Sequence, residues 1–214
     1  SKSNNLVKVK TKNKKIEFYI VKGLSQNNPY DVIRGEETQI LGYLNLNKKF
    51  SGFICLPGTH SKWIKIYKGK IIKFKTYMTG EIYEILTKNS ILKFSINEQN
   101  INKKIFKSSV LRTQKNNFNL LDNLFVFRSR TLLSKKKYYP KSELLAYLIG
   151  NEIKSNIKNI RNLKVVIIGS LTNSKLYSEA LKILKIKNTI IDSRAITING
   201  LKIFYKQLLE NEKK

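Results

Sequence analysis

Four residue types are nearly missing from this chain: its 214 residues hold one cysteine (Cys55), one histidine (His60), one tryptophan (Trp63) and one methionine (Met78). A single cysteine excludes an internal disulfide, so the fold must rest on its core, and a reducing compartment is expected. No set of metal ligands is assigned. Long apolar runs are also lacking. Those present, such as Phe53 to Pro57 or Val165 to Ile168, are far shorter than the ~20 residues of a membrane span. The start shows no charged n-region, apolar h-region and cleavage site, so the expected location is cytoplasmic. The chain opens SKSNNLVKV without a methionine, and its N-terminus is expected to have been processed, cut or lost.

Acids are scarce too, with 14 Asp and Glu against 42 Lys and Arg for a net charge of +28. Such a balance ordinarily points to a nucleic-acid or anionic-surface partner. Composition gives a simpler account. The chain has 36 Lys but 6 Arg, with 28 Ile and 23 Asn, all enriched types being encoded by A- and T-rich codons. The lysines are spread evenly, the densest run being Lys135 to Lys137, whereas nucleic-acid readers add arginine forks and exposed aromatics in one patch. A basic nucleic-acid-binding module is therefore a disfavoured alternative.

What is present is a chain long enough to bury roughly 70% of its unfolded surface. Alternation at Leu6, Val7, Val9 and then Ile16, Phe18, Ile20 predicts two short strands around a Lys/Asn turn, with a further turn at Gly23. Ile40, Leu41 and Leu44 have helical spacing behind Glu36, Glu37 and Thr38, placing DVIRGEETQ at a strand-to-helix junction. Gly52 to Leu56, Lys62 to Tyr67 and Lys70 to Tyr77 read as an antiparallel meander. A helix follows from Thr79, with Thr79 as its cap and Ile82, Ile85 and Leu86 on one face. Residues 93 to 123 predict one or two loosely defined helices. Ser142 to Ile160 is a helix with Ser142 as N-cap and Leu145, Leu148, Ile149, Ile153 and Ile157 on its face. Val165 to Ile168 and Asn188 to Asp192 are strands that alternate with helices over Asn173 to Leu184 and Ala195 to Leu209, as in a parallel sheet. A meander, a helix and then βα units is the layout of the ribonuclease-H-like lobe that actin, sugar kinases and Hsp70-type ATPases use twice.

The stretch LPGTHSKW, Leu56 to Trp63, concentrates the rare residues in a tight turn between the first two strands of the meander. Gly58 permits close approach of backbone N–H groups to an anion, Thr59 and Ser61 offer hydroxyls, and His60 or Lys62 add positive charge. The plain alternative is an ordinary Pro-Gly hairpin turn.

LPGTHSKW, followed by FKTYMTGEIYEIL and NSIL, resembles the signature of the 2-dehydro-3-deoxygalactonokinase (DgoK) family. Upstream, KGLSQNNPYDVIRGEETQILG is similar to that family's P-G-L, loop, D-V-M-R-G-E-E-T-Q pattern, with Lys22 in place of the proline and Ile33 in place of the methionine. LFVFR (Leu124 to Arg128), YLIGNE (Tyr147 to Glu152) and VVIIGS (Val165 to Ser170) resemble later family segments. Seven of the ten glycines fall inside the matched stretches.

The resemblance implies an ATP-dependent kinase, with Mg²⁺ on the nucleotide, phosphorylating 2-dehydro-3-deoxy-D-galactonate to its 6-phosphate. It implies a base near the start of the inter-lobe helix, at Glu36 or Glu37, which could equally be helix-stabilising acids. Arg34 is implied to hold the substrate carboxylate, against a plain salt bridge with Asp31 or Glu37. Thr79, Gly80 and Glu81 are implied to bind substrate, Gly58, Thr59, His60, Ser61 and Lys62 the phosphates, and Gly169 and Ser170 the adenosine. Family members begin with a lobe opening on D-W-G-[ST]-T-N, which does not occur in this sequence. The chain is therefore expected to be an N-terminally truncated fragment, inactive alone, with residues 1–50 the remnant of a first lobe and 51–214 a second, ribonuclease-H-like lobe. A non-catalytic actin-like nucleotide-binding lobe is the other alternative.

Overall fold

A computed structural model describes residues 5–12, 15–96, 100–134, 138–160 and 162–212. The Lys135 to Lys137 run, the middle of the first predicted turn and the side chain of Ile157 lie outside the described residues.

The centre is a mixed five-stranded sheet. Strands β5 (Gly52–Leu56), β6 (Ser61–Tyr67) and β7 (Lys70–Tyr77) form the expected antiparallel meander, and β8 (Val165–Gly169) and β9 (Asn188–Asp192) run parallel to β5 in the order β7-β6-β5-β8-β9. Ile54 is held on both edges, opposite Ile64 of β6 and Val166 of β8. Every residue of β5 is buried, because both edges are paired and both faces are covered. That environment selects the unbroken apolar run FICL instead of an alternating pattern.

Two helical layers provide the cover. Phe53, Cys55 and Trp63 face α3 (Lys103–Thr113), α5 (Pro140–Ile160) and α6 (Leu171–Ile183) through Phe106, Ile149 and Leu181. Ile54, Leu56 and Ile64 face α1 (Glu36–Leu46) and α7 (Ser193–Glu212) through Ile40, Tyr43 and Ile196. A third cluster joins α2 (Thr79–Lys88), α4 (Leu120–Leu133) and α5 around Phe127, Leu144 and Tyr147. Burial pushes the Cys55 thiol upward, so it stays a neutral core group.

Several expectations need correction. Ser142 is not a cap: α5 starts at Pro140, and the Ser142 hydroxyl accepts from the Asn102 backbone N–H (2.9 Å). Thr79 is the first residue of α2, not its cap, because its hydroxyl is drawn into the core by Glu152. Ile82 and Ile85 are exposed, and α2 leans inward through Tyr83 and Leu86 instead. The region from 93 to 123 contributes well-formed helices, α3 and the start of α4, each begun by an asparagine whose side chain accepts a backbone N–H. Apolar alternation marks β1 (Leu6–Val9) and β2 (Phe18–Val21) but not the hairpin that follows, β3 (Leu24–Asn27) with β4 (Tyr30–Ile33). LSQN has no apolar alternation. It is held as a strand from outside, the Gln26 amide donating to the Phe74 carbonyl (2.9 Å) and accepting from its N–H (3.1 Å).

Candidate active site

In a sheet with parallel strands, chain direction gathers loops and following helices at the carboxyl ends, where ligands bind. A cavity of about 460 Å³ opens there, reached by Leu56 and Pro57 at the end of β5, Gly169 and Ser170 at the end of β8, and Ser193 after β9. Three helices begin at its edge: α1 at Glu36, α6 after Ser170 and α7 at Ser193. Helix N-termini carry unsatisfied N–H groups and partial positive charge, which makes the cavity suited to anions.

The loop Pro57 to His60 forms one wall. No turn or loop backbone hydrogen bond uses the N–H of Gly58, Thr59 or His60 among the described residues. Gly58 has ordinary negative φ, and a Cβ there would stand in open space, its nearest contact 3.9 Å away. The loop is braced from behind. A Cβ on Gly80 would come within 2.4 Å of the Gly58 carbonyl and 2.8 Å of the Thr59 Cα, so only glycine lets α2 approach this closely. The Glu81 N–H also donates to the Thr59 carbonyl (2.9 Å).

The two candidate bases have different fates. Glu37 is buried with its carboxylate turned back on its own helix, accepting from the Gly35 N–H (2.5 Å) and the Thr38 hydroxyl (3.2 Å). Glu36 lines the cavity. One of its oxygens pairs with the Lys62 ammonium at 2.6 Å, and the other, Oε2, is buried without a hydrogen-bond partner. Lys62 in turn donates to the His60 carbonyl (2.8 Å). Arg34 also lines the cavity, and its guanidinium makes none of the described hydrogen bonds or ion pairs. Asp31, weighed as its partner, accepts instead from the N–H and hydroxyl of Thr76 (2.7 and 2.8 Å).

The structure thus brings Arg34, Glu36, Gly58, Thr59, His60, Lys62, Gly169 and Ser170 to one cavity and leaves other nominated residues outside it. Ser61 is fully buried, donating to Glu152 at 2.7 Å. Thr79 and Gly80 line a second cavity of about 350 Å³ that meets the first at Gly58. Glu81 is drawn to His60, with His60 Nε2 2.6 Å from its carboxylate. Gln39 and Ser193 reach the main cavity although neither was nominated. Gln39 lies one helical turn beyond Glu36 in the same motif, a spacing that could have revealed it.

Glu152 was also missed, although it ends the YLIGNE segment. It is 3% exposed, and its carboxylate accepts from the Ser61 hydroxyl, the Trp63 indole N–H (2.6 Å), the Thr79 hydroxyl and the Tyr177 hydroxyl (2.8 Å). Burial raises its pKa above the usual carboxylate value, while the four donors favour the ionised form and oppose that shift.

The model of one protein family, 2-keto-3-deoxy-galactonokinase, matches residues 2–204. The chain belongs to this family. It is 32% identical over 173 residues to the Rhizobium meliloti protein named "Probable 2-dehydro-3-deoxygalactonokinase DgoK1", covering 78% of this chain and 56% of that one. It is 33% identical over 141 residues to the 2-dehydro-3-deoxygalactonokinase of Escherichia coli, covering 64% of this chain and 47% of that one. The chain thus spans about half the length of these curated family members. The solved structure described as "a putative 2-dehydro-3-deoxygalactonokinase protein from Sinorhizobium meliloti" superposes with a TM-score of 0.84 at 28% identity, over 94% of this chain and 69% of that one. Among the described residues of this family member, no helix is long and apolar enough to cross a membrane.

Proposed function

We propose that the chain carries the cleft-facing part of an ATP-dependent sugar-acid kinase that phosphorylates 2-dehydro-3-deoxy-D-galactonate to its 6-phosphate. Residues 1–50 are the last strands and inter-lobe helix of a first lobe, and 51–214 a second lobe of the ribonuclease-H-like kind. The sheet β7-β6-β5-β8-β9, a three-stranded antiparallel meander followed by two strands parallel to β5, is built entirely from residues of the second lobe and supports that division. The family match favours neither a nucleic-acid-binding module nor a non-catalytic lobe.

One observation carries the mechanistic reading: a glutamate at a helix start, Glu36, has one carboxylate oxygen tied to Lys62 and the other buried and unpartnered at an anion-suited cavity. A base must reach its proton at roughly 2.6–3.2 Å and be held in place until it does so. Lys62 does the holding. Arg34 is the fork for the substrate carboxylate, since a planar guanidinium binds a carboxylate bidentately. The substrate's 6-hydroxyl oxygen bonds to the γ-phosphorus as the bond from phosphorus to the β,γ-bridging oxygen breaks. ADP departs with that electron pair, and the hydroxyl proton passes to Glu36.

The N–H groups of Gly58, Thr59 and His60, with Lys62, receive the phosphates, and Gly169 and Ser170 border the adenosine. Mg²⁺ would enter with the nucleotide, held by its phosphate oxygens, since this ion is commonly bound through substrate phosphates. Bound there, it would supply positive charge to offset that of the transferring phosphoryl group. The test is steady-state kinase activity of Glu36→Gln in the whole protein. A loss of kcat of about 10²-fold or more is expected, and a loss below tenfold would remove Glu36 from the role.

A further inference from the structure

We propose that Glu152 is the positioning residue of the phosphate loop, its carboxylate fixing the loop from beneath so that the N–H groups of Gly58, Thr59 and His60 are aimed before a nucleotide arrives. The inference rests on the kinase reading of that loop. Glu152 does not line the main cavity and touches no reacting atom. It sits in the core on α5, and its four donors come from three other elements: Ser61 and Trp63 from β6, Thr79 from α2, Tyr177 from α6. Ser61 closes the loop, Thr79 precedes the glycine against which the loop rests, and α6 follows Gly169 and Ser170.

A carboxylate buried without a cation is costly, and well-packed apolar residues commonly do better for stability alone. This chain has 36 lysines, yet no described ion pair involves Glu152. The loop between Leu56 and Ser61, for its part, has few bonds of its own beyond those from Glu81 and Lys62. Its conformation therefore depends on what holds its ends. A single acceptor gripping Ser61, Trp63 and Thr79 fixes the loop end against the start of α2, the support that a preorganised anion cradle requires. Glu152→Gln keeps the shape but replaces one acceptor oxygen by a donor. If that amide nitrogen meets the indole N–H of Trp63, two donors face each other. If it meets Ser61, Thr79 and Tyr177, its two hydrogens cannot satisfy all three hydroxyls.

The test uses the whole protein, both lobes present, ¹⁵N-labelled and titrated with Mg·ATP, following the Gly58, Thr59 and His60 amides, the emission of Trp63 and the melting temperature. In the wild type those amides should shift with ATP. In Glu152→Gln the ATP Kd should rise about tenfold or more, with altered Trp63 emission before ATP is added. Ser61→Ala, which removes only the loop's bond, should weaken binding as well. Tyr177→Phe, which removes a bond to the same oxygen from α6, should lower the melting temperature and raise the Kd clearly less than Ser61→Ala does, since its own element is not part of the loop. If Glu152→Gln does not fold, Ser61→Ala and Thr79→Val decide. Folded Glu152 or Ser61 variants that bind ATP like the wild type overturn the positioning role and leave the kinase reading intact, as does a Tyr177→Phe loss equal to that of Ser61→Ala. A wild-type whole protein whose loop amides ignore ATP overturns the phosphate role of the loop, and the positioning role with it.

Discussion

Exchanging Glu36 and Glu37 separately for Gln should split catalysis from stability. Glu36→Gln removes the charge beside Lys62, whose side chain is 10% exposed against 25% for Glu36. The new amide oxygen can still accept from the ammonium, and the His60 carbonyl remains its second partner. The stability loss is therefore that of weakening one charged hydrogen bond, about 1–3 kcal/mol. At about 2–4 °C per kcal/mol for a chain of this size, the melting temperature falls by about 2–12 °C. Catalysis suffers far more, because an amide cannot take a proton: kcat should fall about 10²–10⁴-fold, or about 2.7–5.4 kcal/mol of barrier. Glu37→Gln keeps an oxygen for the Gly35 N–H and loses mainly the interaction with the helix N-terminus, about 0.3–1 kcal/mol, so kcat should stay within about threefold. The assay is ADP release by the whole protein at saturating ATP and sugar acid, beside thermal unfolding of each variant. A Glu37 variant slower than the Glu36 variant, with both folded, would refute the assignment of the base.

The two glycines at the loop should behave oppositely: Gly58→Ala puts a methyl into open cavity space and should weaken ATP binding with a melting shift under about 2 °C, whereas Gly80→Ala drives a Cβ against the loop backbone and should cost about 1–3 kcal/mol. Equal melting temperatures for the two would contradict the packing argument. Arg34→Lys should raise KM for the sugar acid about tenfold or more with kcat little changed, since an ammonium cannot make the paired contact; an unchanged KM would free Arg34 from that role. Burial pushes the phenols of Tyr43, Tyr138, Tyr147 and Tyr177 above their usual value near 10. Folded protein thus keeps protons that unfolded chain releases, so stability held below pH 10 is lost as pH rises through the folded values. Ultraviolet titration of the 11 tyrosines should stop short of full ionisation until unfolding, and native titration of all of them together near pH 10 would overturn this.

Periodicity in this chain determined the elements whose burial is one-sided or complete over a short run. The meander, the two parallel strands and the inward face of α5 at Leu148, Ile149 and Ile153 follow from apolar spacing alone, because a strand or helix must bury the face its side chains define. LPGTHSKW and DVIRGEETQ likewise announced a loop and a helix start with the chemistry of an anion site. What tertiary structure decided is where the polar groups of those motifs point. Glu36 and Glu37 are adjacent and alike in sequence, yet successive helical residues are turned about 100° apart, so one carboxylate enters the cavity and the other caps its own helix. Ser61 and Thr79 read as ligand or cap residues until α5 brings Glu152 beneath them, 91 and 73 positions away in the chain. Local pattern specifies which residues share a face. Which hydroxyl meets which carboxylate is set only when distant elements pack, since those contacts depend on the sheet order and on helices whose sequence spacing to the site carries no period.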